Sequence, residues 1–481
     1  MMKLNLELFV PGNAKGSSET VDNVHICPGL NEDQRAELQR LLSSYRDIFS
    51  DVPGCTNVAA HRILLMDLKP ITARIYPVPY SLRDSVKAEL DDMIRLGIIE
   101  PSDSPYCSPL LIVKKKDGAN RPVVDYRALN RVTVFDAEPM PSAEDIYARL
   151  AAARFFSKVD FCKGYWQISM AEVDREKTAF ATPFGLFQFK RMPFGLQNAC
   201  ATYGRMMRKL LNGMTATNNF VDDVISFTQA WKSHLEELKD LFERVRQAGL
   251  TVKPSKCYFG YPSVEFLGHQ VGEGKLEMLQ DKVDKVALAP PPHTKKQLRV
   301  FLGLTGYYRA FIEKYVEIAA PPTDALKGGK SSALKWEHSQ AVAFSKLKEC
   351  LCAKPILHLP DMEKPFTLRT NASDVGLGAV LLQEHEDGLF PVAFASRKLT
   401  KAERNYAVVE RECLAIVWGV AKFYRYLYGR QFVLQTDHRP LVFLDRAKLC
   451  NARVMRWALS LQPFKFHTES IKGSDNVGAD Y

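Results

Sequence analysis

Apolar positions between Asn31 and Ser50 fall at Leu38, Leu41, Leu42, Tyr45, Ile48 and Phe49, the spacing of one helical face. Asn31 stands where an N-cap belongs and Gln34 follows three residues later, so a helix starts there. A second helix over roughly 82–96 puts Val86, Leu90, Met93 and Ile94 on one face and stops at Gly97. "PLLIVKKKDGANRPVVDYRAL" then reads as strand, Asp117-Gly118 turn and strand, with Lys114, Lys115, Lys116 and Arg121 around the tip. Residues 155–230 mix short β-branched runs with "TPFGLFQFKRMPFGLQNA", where Pro193 and Gly195 mark a loop entering a helix over about 198–211. "HLEELKDLFERVRQAG" is a helix with Leu235, Leu238, Leu241, Phe242 and Val245 on one face and Gly249 at its end. The pattern restarts twice more. After "APPPH" (289–293), a linker candidate, comes the basic, aromatic, helical stretch "TKKQLRVFLGLTGYYRAFIEKY". After "KPILHLPDMEKPF" (354–366), the run "FTLRT" turns at "NASD" and resumes as "VGLGAVLLQ", a strand, a turn and a second strand.

A chain of 481 residues is too long for one core, so two to four domains follow. Its 46% hydrophobic and 25% charged residues are those of an ordinary globular protein. No apolar run approaches the ~20 residues of a membrane span, and "MMKLNLELFVPGN" lacks a signal peptide's apolar core. The expectation is an intracellular protein, cytoplasmic or nuclear, with no membrane partner. The ten cysteines are scattered without a Cys-x-x-Cys pair and read as reduced thiols rather than zinc ligands. A net charge of +10 is compatible with a polyanionic partner without requiring one.

Charge becomes specific in "NNFVDDVISFT", where apolar strands flank Asp222-Asp223. Two acids in a turn are usually only solvated. Asp160, however, ends another apolar strand in "FFSKVDFCKGYWQI". If these strands pair in one antiparallel sheet, three carboxylates converge, which is costly unless cations occupy the site. Two magnesium ions about 3.5–4 Å apart, bridged by such acids, are what in-line phosphoryl transfer requires.

At this point several segments resemble a known family. "FSKVDFCKGYWQI", "MPFGLQNACAT", "FVDDVI", "LTVKPSKCYF" and "VEFLGHQV" resemble, in order, the palm motifs of a reverse transcriptase, and "PVVDYRALN" is similar to its fingers motif. "FLGLTGYYRAFI", "AFASRKLTKAERNYAVVERECLAIVW" and "TDHRPL" resemble the thumb and ribonuclease H domain of gypsy-type long-terminal-repeat retrotransposon Pol polyproteins. The resemblance covers roughly residues 25–480. It implies an α+β right-hand polymerase of fingers, palm and thumb, followed by an α/β ribonuclease H-like domain. The expected divisions are an N-terminal extension over 1–60, fingers and palm over 61–272, thumb and connection over 273–355, and a C-terminally truncated ribonuclease H-like domain over 356–481.

Carried over position by position, the resemblance makes Asp160, Asp222 and Asp223 the polymerase metal ligands, for two Mg2+. Lys115 and Arg121 would hold the incoming triphosphate by charge-assisted hydrogen bonds. Tyr165 would be the gate that excludes a ribose 2′-hydroxyl, Phe194 would line the nucleotide pocket, and Lys256 would stand near the phosphates. The competing accounts are a solvated hairpin tip for the two cations, a buried structural Tyr, a core Phe and a surface Lys. Two positions depart from the family, which usually has Pro at Cys200 and a longer polar residue at Gly204. The loss of Pro bears on template grip rather than chemistry. Tyr307, Tyr308 and Arg309, beside Lys295 and Lys296, suit a surface that tracks a duplex by its backbone.

The family's ribonuclease H centre has four carboxylates. Three map to Glu412, on a helical face between Val408 and Ile416, to Asp437 after "FVLQT", and to Asp480 in "GSDNVGADY". The first maps to Asn371, a degenerate metal position. Asp374 does not replace it, since three strand residues span roughly 10 Å against a magnesium–oxygen bond of about 2.1 Å. An amide brings no charge, so weak or absent nuclease activity is expected. The resulting expectation is an RNA-directed DNA polymerase acting with dNTPs on an RNA template, a DNA primer and RNA–DNA hybrids. The alternative is a domesticated or decaying retroelement protein that binds nucleic acid without catalysis.

Overall fold

The computed structural model describes residues 17–67, 69–114, 120–328, 333–437 and 452–471. The chain divides into two compact units, one of residues 1–143 and 154–264 and one of 144–153 and 265–481. Among the described residues no helix is long and apolar enough to cross a membrane.

The first unit is built on a five-stranded sheet ordered His25–Ile26, Tyr258–Tyr261, Phe155–Asp160, Asp223–Thr228 and Thr217–Phe220. These strands bury Val159, Val224 and Phe259 in one core. Helices Ala199–Leu210 and Trp231–Gln247 contribute Tyr203, Met206, Met207 and Leu238, Leu241, Phe242, Val245 to the same core. Local signals act as their chemistry dictates. Asn31 accepts from the Gln34 amide at 2.8 Å while Gln34 bonds back at 3.2 Å, starting the helix Glu32–Ser44. At Gly249, φ is +67° and an added Cβ would lie 2.6 Å from the Cys55 carbonyl, so only glycine ends the Trp231–Gln247 helix there. A second sheet is ordered Ile99–Pro101, Gly185–Phe189, Phe180–Thr182, Ser108–Lys114 and Asn120–Val124.

A four-stranded sheet, in the second unit from Glu265 onward, is ordered Ser263–Phe266, His269–Gly272, Lys275–Met278 and Ile356–His358. Within it Gly272 pairs with Lys275 and Leu276 with Leu357. Helices Gln280–Ala287, Lys295–Tyr307 and His338–Cys352 bury Val286, Phe301 and Leu347 in one cluster with Leu357. "APPPH" therefore connects two helices of one core. Lys295, expected beside the aromatics as a surface cation, is buried and donates to the Lys327 carbonyl at 2.8 Å. Capping by Thr294 places it on the packed side of the first helical turn.

A further sheet of this unit is ordered Gly388–Lys398, Gly376–His385, Phe366–Ala372, Gln431–Thr436 and Lys465–Ser470. Its first three strands are antiparallel and the last two join in parallel. Helix Val408–Lys422 crosses it closely at Gly419, where a Cβ would lie 3.0 Å from the Thr370 methyl.

Candidate active site

Asp160 is the last residue of its strand, and its partner across the antiparallel ladder is Asp223, the first residue of the neighbouring strand. Asp223 also pairs with Phe220 on its other side, which leaves Val221 and Asp222 as a two-residue turn. Val221 has φ +54°, a conformation that a β-branched residue adopts at a cost of about 1–3 kcal/mol. The buried Val224 and the ladder on both sides hold the turn in that geometry. Three acids from two distant segments thus stand at one sheet end.

Two lysines meet them. Lys256 Nζ lies 3.2 Å from Asp160 Oδ2, and Lys158 Nζ lies 3.1 Å from Asp223 Oδ1. Lys158 was missed at the sequence level, although period-two alternation puts it on the face of Asp160. Burial raises the Asp160 pKa above the usual carboxylate range, Lys256 opposes this, and the charges of Asp222 and Asp223 add to it. Among the described residues no three His, Cys, Asp or Glu side chains are gathered into a single-metal cage. The donor set still fits magnesium. That ion takes hard oxygen ligands and commonly uses one or two carboxylates, completing its shell with water and phosphate.

Five residues beyond Asp160, Tyr165 lies on the 3₁₀ turn Gly164–Gln167. Its ring centroid is 5.1 Å from that of Phe194 and 5.3 Å from that of Tyr203, and its hydroxyl is 2.9 Å from Cys200 Sγ. Tyr203 is wholly buried, whereas Phe194 is 38% exposed and so is no core residue. Phe194 lines a small cleft of about 50 Å³ with Leu110, Pro122, Val124, Trp166 and Pro193. Gln167 locks the turn, donating to the Cys162 and Thr251 carbonyls at 2.8 Å and accepting from the Thr251 amide. No periodicity marked that role. Arg121 lies in the strand Asn120–Val124 opposite Val113; its side chain and Lys115 lie outside the described residues.

The second cluster forms at one end of the sheet that contains Asn371. Arg369 registers with Gln435 on the parallel neighbour, so Asn371 stands two residues further along its strand and Asp437 two residues further along the chain, just past the end of the neighbouring strand. Glu412, buried on the helix Val408–Lys422, accepts from the Ala372 amide at 3.3 Å. The Glu412 carboxylate is thereby brought to the backbone of the residue that follows Asn371. Asp374 is an exposed turn residue ion-paired with Arg411. Asp480 lies outside the described residues.

Residues 113–271 match the reverse transcriptase (RNA-dependent DNA polymerase) family, and residues 361–464 match the RNase H-like domain found in reverse transcriptase. The fold is similar to that of a foamy viral protease–reverse transcriptase solved with double-stranded DNA, at TM-score 0.84 and 22% identity over 94% of this chain and 80% of that one. The same viral protein solved with an RNA/DNA hybrid gives 0.79 at 22%, over 93% and 62%. The molecule is thus a right-hand reverse transcriptase fold with an RNase H-like domain. More particularly, the chain is similar to retrotransposon Pol polyproteins, that of gypsy among them. It is 38% identical to the Pol polyprotein of transposon 297 from Drosophila melanogaster, over 94% of this chain and 43% of that one. With the gypsy Pol polyprotein of the same organism it shares 36%, over 96% and 46%. The chain spans less than half the length of these curated relatives.

Proposed function

We propose that this chain is an RNA-directed DNA polymerase that extends a DNA primer on an RNA template. The observation that carries the reading is the cross-strand placement of Asp223 opposite Asp160, with Asp222 at the strained turn beside them. The primer 3′-oxygen attacks the α-phosphorus of a dNTP, a new P–O bond forms in line, and pyrophosphate leaves. Asp160, Asp222 and Asp223 would hold two Mg2+, which when bound activate the attacking hydroxyl and steady the leaving group. Lys256 is the more exposed partner of its ion pair and can move from Asp160 to a phosphate oxygen. Lys115 and Arg121 would bind the triphosphate, Tyr165 would face the sugar, and Phe194 would line the pocket.

Fingers and palm are assigned to residues 61–272, thumb and connection to 273–355, and the RNase H-like domain to 356–481. The sheet shared by 269–278 and 356–358 joins these last two segments. Proposed partners are the RNA template, the DNA primer, their hybrid and dNTPs. In the RNase H-like domain, Asn371 removes one charge from the set Glu412, Asp437 and Asp480, so cleavage of hybrid RNA is expected to be impaired. Primer extension on an RNA template tests the polymerase reading. Extension should occur with magnesium and be lost in Asp222→Asn, whereas extension indifferent to that substitution would overturn it.

A further inference from the structure

The ring of Tyr165 is held differently from its tip. Phe194 and Tyr203 lie against the ring, and Gly164 allows the close approach, since a Cβ there would sit 3.0 Å from Tyr203. The hydroxyl is fixed by a separate element, Cys200 in the first turn of helix Ala199–Leu210, at 2.9 Å. Cys200 is itself exposed. A thiol both donates and accepts weakly, and so can pair with a hydroxyl whichever of them supplies the proton. Proline, with no side-chain donor or acceptor, could not make this contact.

We propose that Cys200 is a positioning and specificity-determining residue: its thiol pins the Tyr165 hydroxyl and so sets how firmly the ring excludes a ribonucleotide's 2′-hydroxyl. The inference rests on the polymerase reading above. Selectivity between sugars is a difference between two transition-state affinities, so a wall free to shift by a fraction of an ångström lowers the ratio without touching the metal-binding acids.

The test is the ratio of kcat/KM for a dNTP to that for the matched ribonucleotide, measured by single-nucleotide extension. Wild type, Cys200→Ala, Cys200→Ser, Tyr165→Phe and the Cys200→Ala/Tyr165→Phe double variant are compared. Cys200→Ala should lower the ratio about three- to tenfold, the range expected for one lost hydrogen bond, with the change carried by the ribonucleotide's KM. Cys200→Ser, which keeps a hydroxyl at the site, should recover most of it. Tyr165→Phe should lose as much as Cys200→Ala, and the double variant no more than either, since both remove the same bond. An unmoved ratio in Cys200→Ala, or losses that add in the double variant, would overturn the proposal while leaving the polymerase reading intact. A wild-type chain that extends no primer would remove both.

Discussion

Asp160 carries a cost that no surface aspartate bears. Its carboxyl is half-buried beside two like charges, so its folded-state pKa lies above that of the unfolded chain. The sign follows from linkage: a raised value favours folding below the unfolded pKa, and that advantage is lost as pH rises through the folded value. At neutral pH the ionised group therefore destabilises the fold. Asp160→Asn should raise the melting temperature while removing primer extension; a lowered melting temperature would contradict this. Asn371 presents the opposite case, an amide where charge is wanted. No cleavage of hybrid RNA is expected at millimolar magnesium, and Asn371→Asp should create or strengthen it. Cleavage by the unaltered chain that disappears in Asp437→Asn would contradict the assignment. Both residues were legible in the sequence because Asp160 ends a recognisable strand and Asn371 stands one residue before the end of another. The bond from Tyr165 to Cys200 was not, since the two residues meet only after the 3₁₀ turn and the helix pack.

Elements bring these residues together. The helix Trp231–Gln247 was readable from its 3.6-residue period, but what ties it to the sheet was not. Ser157 donates to His234 Nε2 at 2.7 Å, while Nδ1 meets the Thr228 hydroxyl at 3.1 Å. The Gly260 amide donates to Ser157, and Thr228 donates to the Ala230 carbonyl, so the chain of donors assigns the proton to Nδ1. Ser157 lies on the Asp160 strand and Thr228 on the Asp223 strand, so one neutral imidazole braces both. Burial lowers its pKa to about 4, and that of His61, bonded to Thr202, also to about 4. The unfolded chain binds these protons near pH 6.5 and the folded chain does not. Stability should therefore fall as pH drops from about 6.5 to about 4, by on the order of 3 kcal/mol for each histidine. Urea unfolding at pH 7 and pH 4.5 checks this, and equal midpoints would contradict it. Strand order is the other feature that periodicity withheld. Tyr258–Tyr261 pairs with Phe155–Asp160 across about a hundred residues, a pairing fixed by packing rather than by local pattern.

At the scale of the whole molecule, excess positive charge acquires meaning from the family. Sixty-five Lys and Arg against 55 Asp and Glu favour a polyanion. Hybrid binding should weaken linearly on a log–log plot as salt rises, in proportion to the phosphates neutralised. Affinity independent of salt would argue against a backbone-tracking surface. The two-unit division was only partly legible: proline-rich "APPPH" looked like a boundary, yet it joins two helices of one core, because proline restricts backbone without separating domains. The central claim concerns chemistry at the Asp160 sheet end, and it is tested most directly by incorporation of one dNTP opposite an RNA template in a single turnover with magnesium. The account predicts incorporation by the unaltered chain and a loss of more than about a hundredfold in Asp222→Asn, with primer–template binding retained. Binding without incorporation by the unaltered chain, or incorporation at the same rate in both, would contradict it.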